Sequence, residues 1–119
     1  MEIGAKLQLK PGQSVAVLGS ARGAALEFGA DHSLAETPEA ADAVIVFVAN
    51  GLELDELHNL VLTAARDGLL TWVAYPKARQ LGTDLNRDTL AARLRDGGVE
   101  PVRQVAVDDV WSALRFRPA

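Results

Sequence analysis

Leu69–Asp88 reads LLTWVAYPKARQLGTDLNRD, and the reading of this stretch decides the fold. Leu69–Tyr75 is short, apolar and rich in β-formers (Thr71, Trp72, Val73 and Tyr75), which predicts a strand. Pro76 ends it, because proline lacks the N–H that a strand's ladder needs. The residues that follow, Lys77, Arg79, Gln80, Asp84, Asn86 and Arg87, make a polar loop of side chains suited to binding. A helix then starts, capped by Asn86 or Asp84, and runs to Gly97-Gly98. In a parallel sheet such a loop lies at the carboxyl ends of the strands, where open α/β sheets bind ligands. Leu90, Ala91 and Leu94 form the helix's apolar side, and Arg87 falls on that side one turn earlier. Helical side chains lean toward the amino end. Arg87 is therefore expected to point into the mouth of the sheet, sharing a hollow with Lys77.

Upstream, Ala43–Val48 (AVIVFV) is apolar without alternation, the pattern of a central parallel strand covered on both faces. Asn50-Gly51 reads as its exit turn. Asp55–Asp67 reads as an amphipathic helix with Leu54, Leu57, Val61, Ala64 and Ala65 on one face and Gly68 as its stop. His58 lies at the margin of that face and reads as a packed rim residue. Lys10-Pro11-Gly12-Gln13 places Pro and Gly at the centre of a type II turn before a first strand, Ser14–Leu18. The Gly19-x-x-x-Gly23 spacing after it matches neither GxGxxG nor GxxxxGK[ST] and reads as a tight turn into a short helix at Ala24–Phe28. An anion on that helix's amino end, beside Ser20 and Arg22, is the functional alternative. His32–Ala35 reads as a short edge strand, with His32 a surface histidine, and Thr37-Pro38-Glu39 as a helix start.

Downstream, Pro101–Val107 (PVRQVAV) reads as a strand with Asp108-Asp109 at its end. Ser112–Arg117 alternates, with Leu114 and Phe116 on one face and Arg115 and Arg117 on the other, and so closes an antiparallel hairpin. Trp111 is expected to pack at the turn. The whole is expected to be a single α/β domain over residues 1–119, a three-layer Rossmann-like, mostly parallel sheet ending in that hairpin, with strand order 2-1-3-4-6-5 and the last strand antiparallel. The order echoes a shortened methyltransferase-like sheet. The acidic glycine-rich cofactor loop of such a sheet is missing, so no methyl donor and no other cofactor is assigned.

The 119 residues suffice for one domain with a proper core. The chain has no cysteine, which excludes disulfides, thiolate metal sites and a cysteine nucleophile. Two histidines at no ligand spacing argue against a metal centre. The net charge of −4 is uneven: residues 1–60 hold three basic against nine acidic groups, residues 61–119 nine against seven. The basic groups are scattered singly, so nucleic-acid binding is disfavoured. The opening MEIGAKLQLKPG does not read as a signal peptide, and no apolar run is long enough for a bilayer, so a soluble cytoplasmic protein is expected.

The segments KLQLKPG, WVAYPK, TDLNRD and VAVDDVWSALRFRP resemble those of a family of small bacterial proteins catalogued as a domain of unknown function. The likeness covers most of the chain and is strongest from Trp72 onward. Gly19-Ser20-Ala21-Arg22 departs from it, standing where relatives often carry a proline-containing turn. The resemblance implies a bacterial, cytoplasmic, free-standing domain and transfers no catalytic residue.

In the expected layout Ser20, Arg22, Asn50, Lys77, Arg87 and Asp108 meet at the carboxyl ends of the strands, a set that suits an anionic small molecule. The competing reading makes Arg87 with Asp108 or Asp109 a structural ion pair. Ser20 has no histidine and orienting acid assigned to it, so no catalytic residue is named. Three functions remain: a non-catalytic binding or interaction module for an anion or a protein partner, a small enzyme using the Lys77–Asp88 loop, and a structural homo-oligomer joined through Leu52, Leu62, Leu69 and Trp111.

Overall fold

A computed structural model of the chain describes residues 7–10, 12–19, 33–35, 41–77, 83–107 and 110–119. Its elements are β1 (Ser14–Leu18), β2 (Ser33–Ala35), β3 (Ala43–Phe47), α1 (Gly51–Arg66), β4 (Leu70–Pro76), α2 (Arg87–Arg95), β5 (Val99–Ala106) and β6 (Trp111–Pro118). They form a mixed α/β structure on one six-stranded sheet of order β2-β1-β3-β4-β6-β5. Strands β2, β1, β3 and β4 are parallel neighbours. Strand β6 runs antiparallel to both β4 and β5. The order is the one expected from the sequence.

Each element follows from its residues. All five residues of β3 are buried, as a strand with a neighbour on each side and cover on both faces requires. In β6, Leu114 and Phe116 are buried while Arg117 on the alternate row is exposed and pairs with Glu100 at 3.2 Å. Strand β5 starts at Val99, ahead of the expected Pro101. Pro101 is accommodated because β5 is the edge strand, and the register slips between Pro101 and Arg103, leaving Val102 as a bulge.

Helix α1 starts a full turn before the expected Asp55. Asn50 and Gly51 suit a turn, but Asn is also a strong helix cap. Here Asn50 is extended (φ −158°) and its Oδ1 accepts the Glu53 N–H at 3.0 Å. Helix α2 carries a reciprocal cap: Asn86 Oδ1 accepts from Thr89 N at 2.9 Å, and Thr89 Oγ1 accepts from Asn86 N at 3.0 Å. Of the two caps expected there, Asn86 is the one used. Its far end is Asp96, just short of Gly97.

Two apolar clusters hold the sheet. On one face Val46, Val73, Leu114 and Phe116 meet Leu54 and Val61 of α1 and Leu90 and Leu94 of α2. On the other, Ile45, Phe47, Trp72 and Trp111 meet Leu7 and Leu9. Trp72 Nε1 donates to the Leu7 carbonyl at 3.0 Å, which ties the Leu7–Lys10 segment across that face. Phe47 and Trp111 stack edge-to-face with centroids 5.2 Å apart. Both described helices thus lie on one face. The stretches read as further helices, Ala24–Phe28 and Thr37–Glu39, lie outside the described residues.

Gly19 leaves β1 at φ +103°, and a Cβ there would strike the backbone carbonyl of Phe47. Only glycine fits both demands. The expected turn before β1 is present: Gly12 has φ +86° and Gln13 N donates to the Lys10 carbonyl at 3.1 Å.

The self-association surface expected from the sequence needs correction. Leu62 and Trp111 are buried at 6% and 5% exposure and Leu69 is half-buried, leaving Leu52 alone of the four well exposed at 75%. Leu62 is covered because it packs onto Gly97, where any Cβ would collide with it. No helix among the described residues is long and apolar enough to cross a membrane.

Candidate functional site

The carboxyl ends of β3 and β4 and the amino ends of α1 and α2 come together at one rim. Direct bonds show it. Gly51 N, at the start of α1, donates to Asp84 Oδ1 at 2.8 Å, and Asp84 lies just ahead of α2. Arg93 of α2 returns a bond from Nη1 to the Gly51 carbonyl at 3.1 Å and stands 3.6 Å from Asp55. Asp84 was a candidate binding side chain of the polar loop. It is instead a clasp that joins the two helix starts.

The sequence-derived site residues divide as follows. Asn50 stands at this rim, and its side-chain oxygen is engaged in capping α1. Glu53 closes the same turn by accepting the Ala49 N–H at 3.1 Å. The amino end of α1 is therefore supplied with acceptors from the chain itself. Lys77 follows β4 directly, half-buried, its N–H donating to the Val110 carbonyl at 2.7 Å. Arg87 is the first residue of α2, its side chain 55% exposed, with Asp88 at 3.8 Å. A loose, exposed pair of this kind contributes little and leaves the guanidinium free to turn. Ser20, Arg22 and Asp108, with Asp109, lie outside the described residues, as does His32. His58 is half-buried with Nε2 3.4 Å from the Arg93 carbonyl, a packed position between the helices.

The sequence reading missed Tyr75. It alternates with Val73 on the helix-covered face of β4 and is 3% exposed. Gln104 Nε2 of β5 donates to its phenol oxygen at 3.1 Å, reaching past β6. Burial pushes the phenol's pKa up, the Arg87 guanidinium pulls it down, and the Asp88 carboxylate pushes it up again. Alternation along WVAYP was the available signal for Tyr75. Nothing local pairs it with Gln104, because that contact depends on β6 lying between β4 and β5.

Neither a protein-family model nor a curated protein sequence matches the chain. Among solved structures, the chain is similar to LepI in complex with SAM, at a TM-score of 0.48 and 14% identity over 98% of this chain. The chain spans 39% of that structure's length.

Proposed function

We propose that the chain is a binding module, built on a three-layer Rossmann-like frame, that holds a small anionic molecule at the rim where β4 ends and α2 begins. One observation supports this above the others: Arg87 opens α2 with its side chain half-exposed and only loosely paired with Asp88 at 3.8 Å. A guanidinium so placed serves an incoming phosphate or carboxylate through two parallel N–H donors. Lys77 adds a second positive charge to the same strand exit, two residues beyond Tyr75. Asn50 caps α1, and Asp84 ties that helix start to the chain just ahead of α2.

A thermal-shift series with inorganic phosphate, AMP and citrate tests the reading. At least one should stabilise the protein, and Lys77→Ala and Arg87→Ala should each weaken that effect. Melting temperatures indifferent to all three anions, or a response untouched by both substitutions, would overturn it.

A further inference from the structure

A second site lies at the opposite rim, where the strands begin. Gln8, Lys10, Gln13, Asp42, Gly68, Leu70 and Arg115 line a cavity of about 420 Å³ there, within the range of small-molecule pockets. Asp42 precedes β3, Gln13 precedes β1 and Leu70 opens β4, so the cavity faces away from Tyr75 and Arg87.

Arg115 is the informative residue. Along β6 it continues the row of Trp111 and Ala113, both buried against the face that Leu7 and Leu9 cover. A cation therefore follows directly on two core positions of its row, before the row reaches solvent at Arg117. Its Nη1 donates to Gln8 Oε1 at 2.7 Å, while its buried Nε–H has no acceptor. Buried donors are ordinarily satisfied, so this covered N–H beside the cavity finds an acceptor only if the guanidinium turns. Gln8, which holds the guanidinium, is at φ +62°, a conformation that a non-glycine residue rarely adopts and that gathers at ligand clamps. Across the cavity Asp42 is fixed by Ser14, whose N–H and Oγ both bond its Oδ2, at 3.0 and 3.3 Å. That leaves its other oxygen for a donor.

We propose that this cavity binds a small amino or hydroxy acid. The ligand's carboxylate meets Arg115 and Lys10, with a slight turn of the guanidinium bringing Nε–H to a carboxylate oxygen. Its ammonium or hydroxyl group meets Asp42. An amino or hydroxy acid suits the wall better than phosphate or a plain carboxylate, because its second group gives the Asp42 carboxylate a donor while its carboxylate meets the cations.

Isothermal titration of the full chain with glutamine, glutamate, lactate, acetate and inorganic phosphate tests this. Glutamine, glutamate or lactate should bind more tightly than acetate or phosphate. Arg115→Met should weaken that binding about tenfold or more, the loss of one charge-assisted contact. Lys10→Ala, at an exposed position on the cavity wall, should weaken it less, and serves alone if Arg115→Met fails to fold. Lys77→Ala and Arg87→Ala should leave it unchanged, which separates this site from the one at the other rim. Heats absent for all five compounds, or binding that survives both Arg115→Met and Lys10→Ala, or binding lost with Lys77→Ala, would refute the proposal.

Discussion

Replacing Asn86 by alanine should loosen the helix that carries Arg87, by an amount the structure allows to be reckoned. The substitution removes the acceptor of the Thr89 N–H and leaves one helix donor to water. Loss of such a cap costs about 1 kcal/mol, ranging to about 2. The upper half of that range is expected, because α2 has nine residues and its first turn cannot fray without uncovering Leu90, which is fully buried. At roughly 2.1 cal/mol/K of unfolding entropy per residue, each kcal/mol lowers the melting temperature of this chain by about 4 °C. A fall of about 6–8 °C is therefore expected in a thermal melt followed by circular dichroism. Asn86→Asp should stay within about 0.5 kcal/mol of the parent, since aspartate caps as well as asparagine and favours the helix dipole. Thr89→Ala removes the returning bond. The double variant should then cost less than the two singles together, by about 0.5 kcal/mol or more. An Asn86→Ala protein melting within about 1 °C of the parent, or an aspartate variant as unstable as the alanine one, would refute the reasoning.

Gly19→Ala should destabilise by about 3 kcal/mol or more, because the left-handed backbone and the Phe47 carbonyl both oppose a Cβ and neither can yield cheaply; chemical denaturation measures it, and a loss under about 1 kcal/mol would contradict the close approach. Tyr75 is the chain's one tyrosine, so ultraviolet absorbance of tyrosinate titrates it without interference. Its folded pKa should lie above the ordinary tyrosine value, rise further in Arg87→Ala, and fall in Asp88→Asn. The neutral phenol favours the folded state, so its contribution is whole below the ordinary tyrosine range and is lost as pH climbs through the raised folded value. A Tyr75→Phe protein whose stability falls with pH above 10 as the parent's does would remove this account.

The frame was legible where composition and period agree. AVIVFV and LLTWVAYP are apolar runs bounded by turn residues, and LRFRP alternates strictly, so these three strands and the direction of the last could be read directly. Asn50 was misplaced because one dipeptide, Asn-Gly, serves both a turn and a helix cap; the structure makes it a cap through Glu53 N–H, and the bond that fastens Gly51 comes from Asp84, 33 residues away. The rim residues Lys77 and Arg87 could be singled out because helix period and strand end are local properties. The Tyr75–Gln104 bond and the Gln8–Arg115 bond could not. They join positions 29 and 107 residues apart and exist only once β6 has entered the sheet.

That entry has a consequence for how the protein is made. Strand β6 contains residues 111–118, yet it sits between β4 and β5. While the chain is being synthesised, β4 must wait with one row of backbone groups open until Phe116, its pairing partner at Thr71, has left the ribosome. A product released early, before Trp111, would keep that apolar border bare and invite stacking with other unfinished chains.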